Sequence, residues 1–205
     1  MRQALVIITV LLLGLSLFHP PYPREQYLQH APTIVLIAVL FEAARKQRIS
    51  KLSFASITIF LWLHILGARY VYSFVPYDEW LRQWFSADTG DWFDWQRNHY
   101  DRLVHLCFGM LFLLPIAGFV VDRARISVGC GVGIAVLAVL AFSAIYEVLE
   151  WLLTVFMSPR DAEAYNGQQG DFWDAQKDMA LVFAGSLVAM PVVACILSPD
   201  NKAGR

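Results

Sequence analysis

The sequence predicts an all-α, polytopic helical bundle embedded in a membrane, and three observations lead to that fold class. Hydrophobic residues make up 58% of the 205 positions, and the mean hydropathy is +0.49. The apolar residues gather in runs close to the roughly 20 residues that an α-helix needs to cross a bilayer. The formal net charge is −1, without the basic excess that is typical of nucleic-acid-binding proteins. We therefore expect the lipid bilayer as the main surroundings and no nucleic-acid partner.

Six apolar segments are the candidate membrane spans, and we expect them to form one transmembrane domain over residues 1–205. They cover about residues 4–18, 32–46, 52–74, 102–121, 128–155 and 179–197. The first is short and follows Met1-Arg2, as the apolar part of a signal peptide would. We expect it to be retained as a helix, because Phe18-His19-Pro20-Pro21 is a poor start for a mature chain.

Lysine and arginine concentrate after the second and fourth spans and in the C-terminal tail. The positions are Arg45, Lys46, Arg48, Lys51, Arg123, Arg125, Lys202 and Arg205. Short loops rich in Lys and Arg tend to stay in the cytoplasm. Both termini are therefore predicted to be cytoplasmic, and the connections near 19–31, 75–100 and 157–177 are predicted to face outward.

The connection 75–100 contains a predicted short amphipathic helix that lies at the membrane interface. Asp78 is its expected N-cap, and Trp80 and Trp84 fall on one helical face. With Trp92 and Trp95 they resemble the aromatic belt that anchors proteins at a bilayer surface. The alternative is that these aromatic residues line an entrance for lipid.

Ionisable side chains from several spans are predicted to lie at a similar depth near the outer surface. The third span contributes His64 and Arg69, and the fifth contributes Glu147 and Glu150. The fourth begins with His99, Asp101, Arg102 and His105, and the sixth with Asp171, Asp174 and Asp178, which share one stripe if that helix starts at Gly170. A charged residue at the centre of a spanning helix costs about 2.5–3.5 kcal/mol, so such residues usually mark a site or a compensating pair.

A divalent metal ion of unknown identity would explain how so many carboxylates can lie at one depth in the membrane. Carboxylates at close range repel unless they are protonated, paired with cations or bound to a metal. Mixed sets of histidine and carboxylate suit zinc, manganese or iron. The predicted metal ligands are His105, Glu147, Glu150, Asp171, Asp174 and Asp178. The candidate catalytic residues are Asp101, His105, Glu147 and Glu150, and Arg69 and Arg102 are candidates for binding a phosphate.

Several of these residues also have simpler explanations. Asp171 and Asp174 can cap the sixth helix and complement its dipole. Asp101 can form a structural salt bridge with Arg97, Arg102 or His105, and His64 can be a packing residue. Glu42 precedes Arg45 and Lys46 by three and four residues, which predicts an ordinary ion pair at the cytoplasmic edge.

Three sequence blocks resemble the YjdF family of small, uncharacterised multi-pass proteins in bacterial inner membranes. They are Tyr100-Asp101-Arg102-Leu103-Val104-His105, Tyr146-Glu147-Val148-Leu149-Glu150-Trp151, and the run from Gly167 to Met179. The resemblance covers most of the chain from the second span onward, and it implies a location in the bacterial inner membrane. More distantly, the order of acidic motifs is similar to VanZ-like membrane proteins, which are linked to glycopeptide resistance. Those proteins tend to have Gln and Asn where this chain has Glu150 and Asp178.

Three functions fit the pattern. The first is a metal-dependent enzyme acting on a lipid or lipid-linked substrate at the outer leaflet. The second is an ion- or proton-coupled transporter, although the inner halves of the last three spans are almost wholly apolar and offer no evident route. The third is an accessory or structural membrane protein whose polar residues only hold helices together. The sequence leaves all three open.

Overall fold

A computed structural model of the chain describes residues 1–47, 49–156 and 168–199. These residues form α1 (Arg2–Ser16), α2 (Pro23–Lys46), α3 (Lys51–Arg69), α4 (Tyr77–Phe85), α5 (Thr89–Phe93), α6 (Tyr100–Ala124), α7 (Val128–Phe156) and α8 (Asp174–Leu197). The predicted all-α class is confirmed. Outside the described residues lie Arg48, Lys202 and Arg205, on which the predicted orientation partly rests, and Gly167, the first residue of the third sequence block.

Among the described residues, five helices are long and apolar enough to cross a membrane, namely α2, α3, α6, α7 and α8. The expected first span is the shorter helix α1, whose 15 residues extend about 22 Å at 1.5 Å per residue. That length falls short of a hydrocarbon core about 30 Å thick. The chain is therefore a polytopic helical membrane protein, and the part that the structure describes contains five full-length candidate spans and one shorter apolar helix.

The second and third helices differ from their predicted bounds. The prediction of a loop near 19–31 is wrong for most of its length, because α2 begins at Pro23. Proline is favoured at the first position of a helix. The third helix ends at Arg69 instead of residue 74. Val71 and Tyr72 follow with φ angles of 50° and 55°, in the left-handed region that a β-branched residue rarely adopts. This turn folds the Tyr72 ring back onto Gly67, where a Cβ atom would collide with it.

The predicted short helix in the 75–100 connection is confirmed as α4, but its expected cap is not. Pro76 occupies the N-cap position. The Asp78 carboxylate instead accepts hydrogen bonds from the Thr89 backbone N–H at 2.9 Å and the Thr89 hydroxyl at 2.8 Å. That contact ties α4 to α5, a helix that the sequence analysis missed. Trp84 is 78% exposed, as expected for a side chain at a lipid surface.

The helix α6 packs against α3, α7 and α8, so it links the two ends of the chain. Its closest neighbour is α8, because Gly109 and Gly185 let the two backbones touch: a Cβ at Gly109 would overlap the Val182 carbonyl, and one at Gly185 the Leu106 carbonyl. Between this crossing and the C-terminal ends of α6 and α8 the packing is apolar, with Leu113, Ala117 and Val193 buried. At the far end of α2, Glu42 pairs with Arg45 at 2.9 Å and Lys46 at 2.5 Å, which confirms the predicted ion pair.

Candidate functional site

Two arginines and two aspartates join the start of α6 to the start of α8; we call them the arginine–aspartate layer. Arg97 Nη1 lies 2.7 Å from Asp174 Oδ1 and 3.4 Å from Asp171 Oδ2. Arg102 hydrogen bonds to Asp171 and lies 3.4 Å from Asp174. Each carboxylate thus faces both guanidinium groups. Charge-assisted pairing of this kind compensates for the burial of Asp174, which is 4% exposed.

The turn before α8 brings Asp171 to the layer. Gly170 adopts a φ of 80°, which glycine allows without strain. The Gln169 side chain pairs with the Asn98 backbone, accepting from its N–H at 2.9 Å and donating to its carbonyl at 3.0 Å. The helix starts at Asp174. The predicted stripe of Asp171, Asp174 and Asp178 required a start at Gly170, so Asp171 is not part of it. Asp171 lies ahead of the helix and accepts from the Trp173 N–H at 3.1 Å.

Asp171 also pairs with a lysine in the first turn of α8. The Lys177 ammonium lies 2.6 Å from Asp171 Oδ2. This hydrogen bond, helped by those from the Trp173 N–H and Arg102, holds the pKa of the Asp171 carboxyl well below its ordinary value. Asp171 is therefore a charged partner of three cations at neutral pH.

Next to this layer lies a second group, which we call the acidic cluster, with members on α6, α7 and α8. They are Asp101, His105, Glu147, Glu150 and Asp178. His105 Nε2 lies 3.7 Å from Asp101 Oδ1 and 3.6 Å from Glu147 Oε1, beyond hydrogen-bond distance in both cases. The charge neighbours of Glu150 include Asp101, Glu147 and Asp178. The predicted meeting of side chains from α6, α7 and α8 is therefore present.

Two buried carboxylate oxygens in the acidic cluster lack a hydrogen-bond partner among the described residues. Within the described part of the chain, neither Asp178 Oδ1 nor Glu147 Oε1 has one, and both atoms are buried. Asp178 as a whole is only 2% exposed. The arginines that influence Asp101 are those of the layer above, where Asp171 and Asp174 already engage them. Buried oxygens without donors are costly, so they need a proton or a cation.

Three members of the acidic cluster have the spacing of a metal site. Asp101, His105 and Asp178 each offer one ligand atom, and these atoms lie within 4.8 Å of one another. Donors about 2.1 Å from a common ion stand roughly 3.0–3.5 Å apart at octahedral or tetrahedral angles, so small side-chain rotations suffice. One imidazole with two carboxylates suits manganese, iron or zinc. These residues could therefore hold a divalent ion.

The structure rearranges the predicted ligand set. Asp171 and Asp174, which we expected as metal ligands, lie in the arginine–aspartate layer. Asp101, which we expected as a catalytic residue or a salt-bridge partner, stands with His105 and Asp178. Glu147 faces His105 from α7, and Glu150 lies one turn further along that helix. Arg97, which the sequence analysis considered only as a partner of Asp101, turns out to pair with Asp171 and Asp174.

Arg69 and His64 lie away from the acidic cluster. Arg69 was a candidate for binding phosphate, but its Nη1 donates to the carbonyls of Ser16 at 2.5 Å and Phe18 at 3.1 Å. Carbonyls at a helix C-terminus have no partner within the helix, so Arg69 satisfies the end of α1. His64 Nε2 lies 2.7 Å from Thr33 Oγ1 and its Nδ1 contacts the Tyr72 hydroxyl, which is the geometry of a hydrogen-bonded packing residue.

His64 belongs to a second buried polar group, which we call the histidine cluster. It joins α1, α2 and α3, and its members are Ser16, Gln26, Gln29, His30, Thr33, His64 and Tyr72. His30 lies 3.1 Å from the Gln26 amide nitrogen through Nε2. This group was not predicted, because residues 19–31 were interpreted as a loop. The signal was present: positions 26, 29, 30 and 33 follow the i, i+3, i+4, i+7 spacing of one helical face.

Comparisons with known proteins agree with the resemblance seen in the sequence. A family model described as "Predicted membrane protein (DUF2238)" matches residues 1–198. The chain is also similar to the inner membrane protein YjdF of Escherichia coli strain K12, with 29% identity over 160 residues. That alignment covers 78% of this chain and 72% of the relative. No solved structure matches the chain. The predicted YjdF-like resemblance is confirmed.

Proposed function

This chain belongs to the DUF2238 family of predicted membrane proteins, and on that premise we propose that its acidic cluster is a divalent metal centre within the membrane. The centre faces the outer leaflet of the bacterial inner membrane and supports an enzymatic reaction on a lipid or a lipid-linked substrate. Asp101, His105 and Asp178 are the metal ligands. Glu147 and Glu150 are the acid and base beside them.

The observation that carries this proposal is the Asp178 carboxylate. It is 2% exposed, and its Oδ1 atom has no hydrogen-bond donor among the described residues. A buried ionised carboxylate without a partner loses its hydration without compensation, which costs several kcal/mol. Asp101 and His105 offer ligand atoms within 4.8 Å of Asp178. A divalent ion would satisfy all three side chains at once.

The surrounding residues supply the remaining parts of a reaction centre. A bound metal would polarise a phosphoryl or carbonyl oxygen and acidify a bound water. Glu147 Oε1, 3.6 Å from His105 Nε2 and without a hydrogen-bond partner in the described chain, is free to accept a proton. Arg102 Nε is also buried without a hydrogen-bond partner there, so this guanidinium keeps a donor for an anionic substrate group.

The competing functions have less support, although one observation favours a structural role. Transport needs a polar route, and the buried side chains toward the other end of α6, α7 and α8 are apolar, among them Leu113, Val136 and Val193. The arginine–aspartate layer, by contrast, is a lock between α6 and α8 that an accessory protein would also use. Its ion pairs account for Asp171 and Asp174, but they leave Asp178 Oδ1 and Glu147 Oε1 without a hydrogen-bond donor among the described residues.

The proposal predicts one metal ion per chain that depends on Asp178. Full-length protein purified in detergent and incubated with Mn²⁺ or Zn²⁺ is desalted, and its metal content is measured by inductively coupled plasma mass spectrometry. Asp178→Asn is expected to weaken binding by about 100-fold, because it removes a ligand charge while keeping the side-chain shape. Asp94→Asn is the matched control: it changes an exposed aspartate in a left-handed backbone conformation that Asn accepts, and its metal content should equal that of the wild type.

The enzymatic part has its own readout. Proteoliposomes that contain a polyprenyl diphosphate or phosphatidic acid are assayed for released phosphate. Glu147→Gln should lower the rate by 10²-fold or more and leave the metal content unchanged, as expected for a proton-transfer residue. A folded wild-type chain without bound metal would contradict the metal centre. Metal binding without turnover on any phosphorylated lipid would contradict the reaction but not the centre.

A further inference from the structure

A cavity of about 250 Å³ lies at the end of the bundle opposite the acidic cluster. It is enclosed by the α2–α3 connection, the first turn of α3, the last turns of α6 and the end of α8. Neither the acidic cluster nor the histidine cluster contributes to its walls. The side chains at its rim are polar and those deeper inside are apolar. This combination is expected of a site that binds a lipid headgroup.

The rim of the cavity carries two cationic side chains, Lys51 and Arg123. Both side chains are exposed, and neither forms a hydrogen bond or ion pair with another described residue. Their neighbours Arg45 and Lys46 differ in this respect, since both pair with Glu42. Asp122 also lines the rim, so the side chains at the mouth carry one net positive charge. Unpaired cations beside a cavity attract an anion.

The apolar part of the cavity continues onto the surface that faces lipid. Leu114 and Leu197 lie in the wall, and Leu52 and Phe119 extend from it with 56% and 67% of their surfaces exposed. The volume is below the 300–1,000 Å³ of sites that enclose a drug-sized ligand. It fits a phosphate with part of a glycerol, and it leaves acyl chains to run along Leu52 and Phe119. A free phosphate would not cover the apolar wall.

We propose that this cavity binds the headgroup of an anionic phospholipid from the leaflet at this basic edge, which the distribution of Lys and Arg assigns to the cytoplasm. Lys51 and Arg123 contact the phosphate, and the glycerol enters between α3, α6 and α8. Basic pockets between transmembrane helices on the cytoplasmic side are known to bind lipid headgroups. The lipid joins the α1–α3 half of the protein to the α6–α8 half and does not depend on the metal centre.

Native mass spectrometry of the full-length protein in detergent tests this proposal. Phosphatidylglycerol, phosphatidylcholine and inorganic phosphate are titrated separately at one fixed, low ionic strength. We expect phosphatidylglycerol to bind in preference to phosphatidylcholine. Each basic residue near a membrane surface contributes about 1 kcal/mol, or about 5-fold. The Lys51→Gln/Arg123→Gln variant should therefore bind phosphatidylglycerol about 25-fold more weakly.

Two further variants fix the site. Arg125→Gln removes a cation from the same edge that does not line the cavity, so it should bind phosphatidylglycerol like the wild type. Asp122→Asn removes the opposing charge and should bind it more tightly. Equal binding of the two lipids, or unchanged affinity in the double variant, would overturn the proposal. Saturable binding of inorganic phosphate that matches the lipid would replace it with a soluble-anion site.

Discussion

At the scale of single residues, Asp174 shows how the fold tolerates a carboxylate at the mouth of a membrane span. Its side chain is 5% exposed, and Arg97 Nη1 stands 2.7 Å away. Arg102 lies within 3.4 Å and is the second partner. The aspartate and the arginine are 77 positions apart in the chain. The hydropathy of the sequence shows that a carboxylate at this position is unusual. Which arginine neutralises its charge depends on the turn before α8, which sequence patterns do not predict.

Replacing Arg97 should destabilise the protein more than replacing an exposed arginine. Arg97→Gln leaves Asp174 with Arg102 alone, so we expect a loss of about 2 kcal/mol in the free energy of unfolding, below the 3–5 kcal/mol typical when a buried charge loses every partner. Arg82→Gln is the control, because the Arg82 side chain is exposed and its 3.3 Å pair with Asp88 should contribute less than about 1 kcal/mol. Denaturant titration in detergent measures both. Equal losses would contradict a buried role for Arg97.

Asp171 predicts an acid-dependent loss of stability. Lys177 holds its pKa below the value of about 3.9 for an unfolded aspartate. The unfolded state therefore binds the proton first as the pH falls, so the contribution of Asp171 is complete above about pH 5 and is lost progressively below about pH 4. The stability difference between wild type and Asp171→Asn should be constant from pH 5 to 8 and shrink toward pH 3. Thermal unfolding across this range measures it, and a difference that persists at pH 3 would contradict the pairing.

At the scale of helices, the long apolar runs predicted the apolar cores of α6, α7 and α8 within about five residues, because those segments are almost continuously hydrophobic. The prediction failed where polar residues are buried. The first turns of α2 read as a loop because Gln26, Gln29 and His30 are polar, yet they face α1 and α3 in the histidine cluster. The end of α3 was overestimated because Val71 and Tyr72 are ordinary strand or helix formers that here adopt left-handed angles. Tertiary contacts decided both boundaries.

The crossing of α6 and α8 sets the distance from Asp178 on α8 to Asp101 and His105 on α6. Gly109→Ala places a methyl group against the Val182 carbonyl, a backbone atom that cannot rotate away. We expect a loss of about 1–3 kcal/mol in stability and weaker metal binding, because the helices must separate. Gly129→Ala and Gly133→Ala are matched controls in α7, since neither added Cβ has a neighbour within 4 Å. They should be neutral or slightly stabilising by helix propensity.

Stability of the three alanine variants is measured by thermal unfolding in detergent, and their metal content as for Asp178→Asn. A Gly109→Ala variant as stable as Gly133→Ala would contradict a close crossing. A variant that is less stable but keeps full metal affinity would show that the ligands do not depend on the distance between α6 and α8.

At the scale of the whole molecule, the two ends of the bundle carry different groups of polar side chains. One end carries the arginine–aspartate layer, the acidic cluster and the histidine cluster, and the other carries the basic rim around Lys51 and Arg123. The sequence predicted the acidic end, because the charges of α6, α7 and α8 fall at matching depths. It did not predict that the acids divide into a layer paired with arginine and a cluster without such pairing. That division depends on the turn at Gly170.

The most direct test of the central claim is anomalous X-ray scattering from crystals of the full-length protein grown with Mn²⁺ or Zn²⁺. We predict one strong peak in the bundle, about 2.0–2.3 Å from a carboxylate oxygen of Asp101, a ring nitrogen of His105 and a carboxylate oxygen of Asp178. The claim is contradicted if no peak stands between these side chains, or if the peak lies at Asp171 and Asp174 instead.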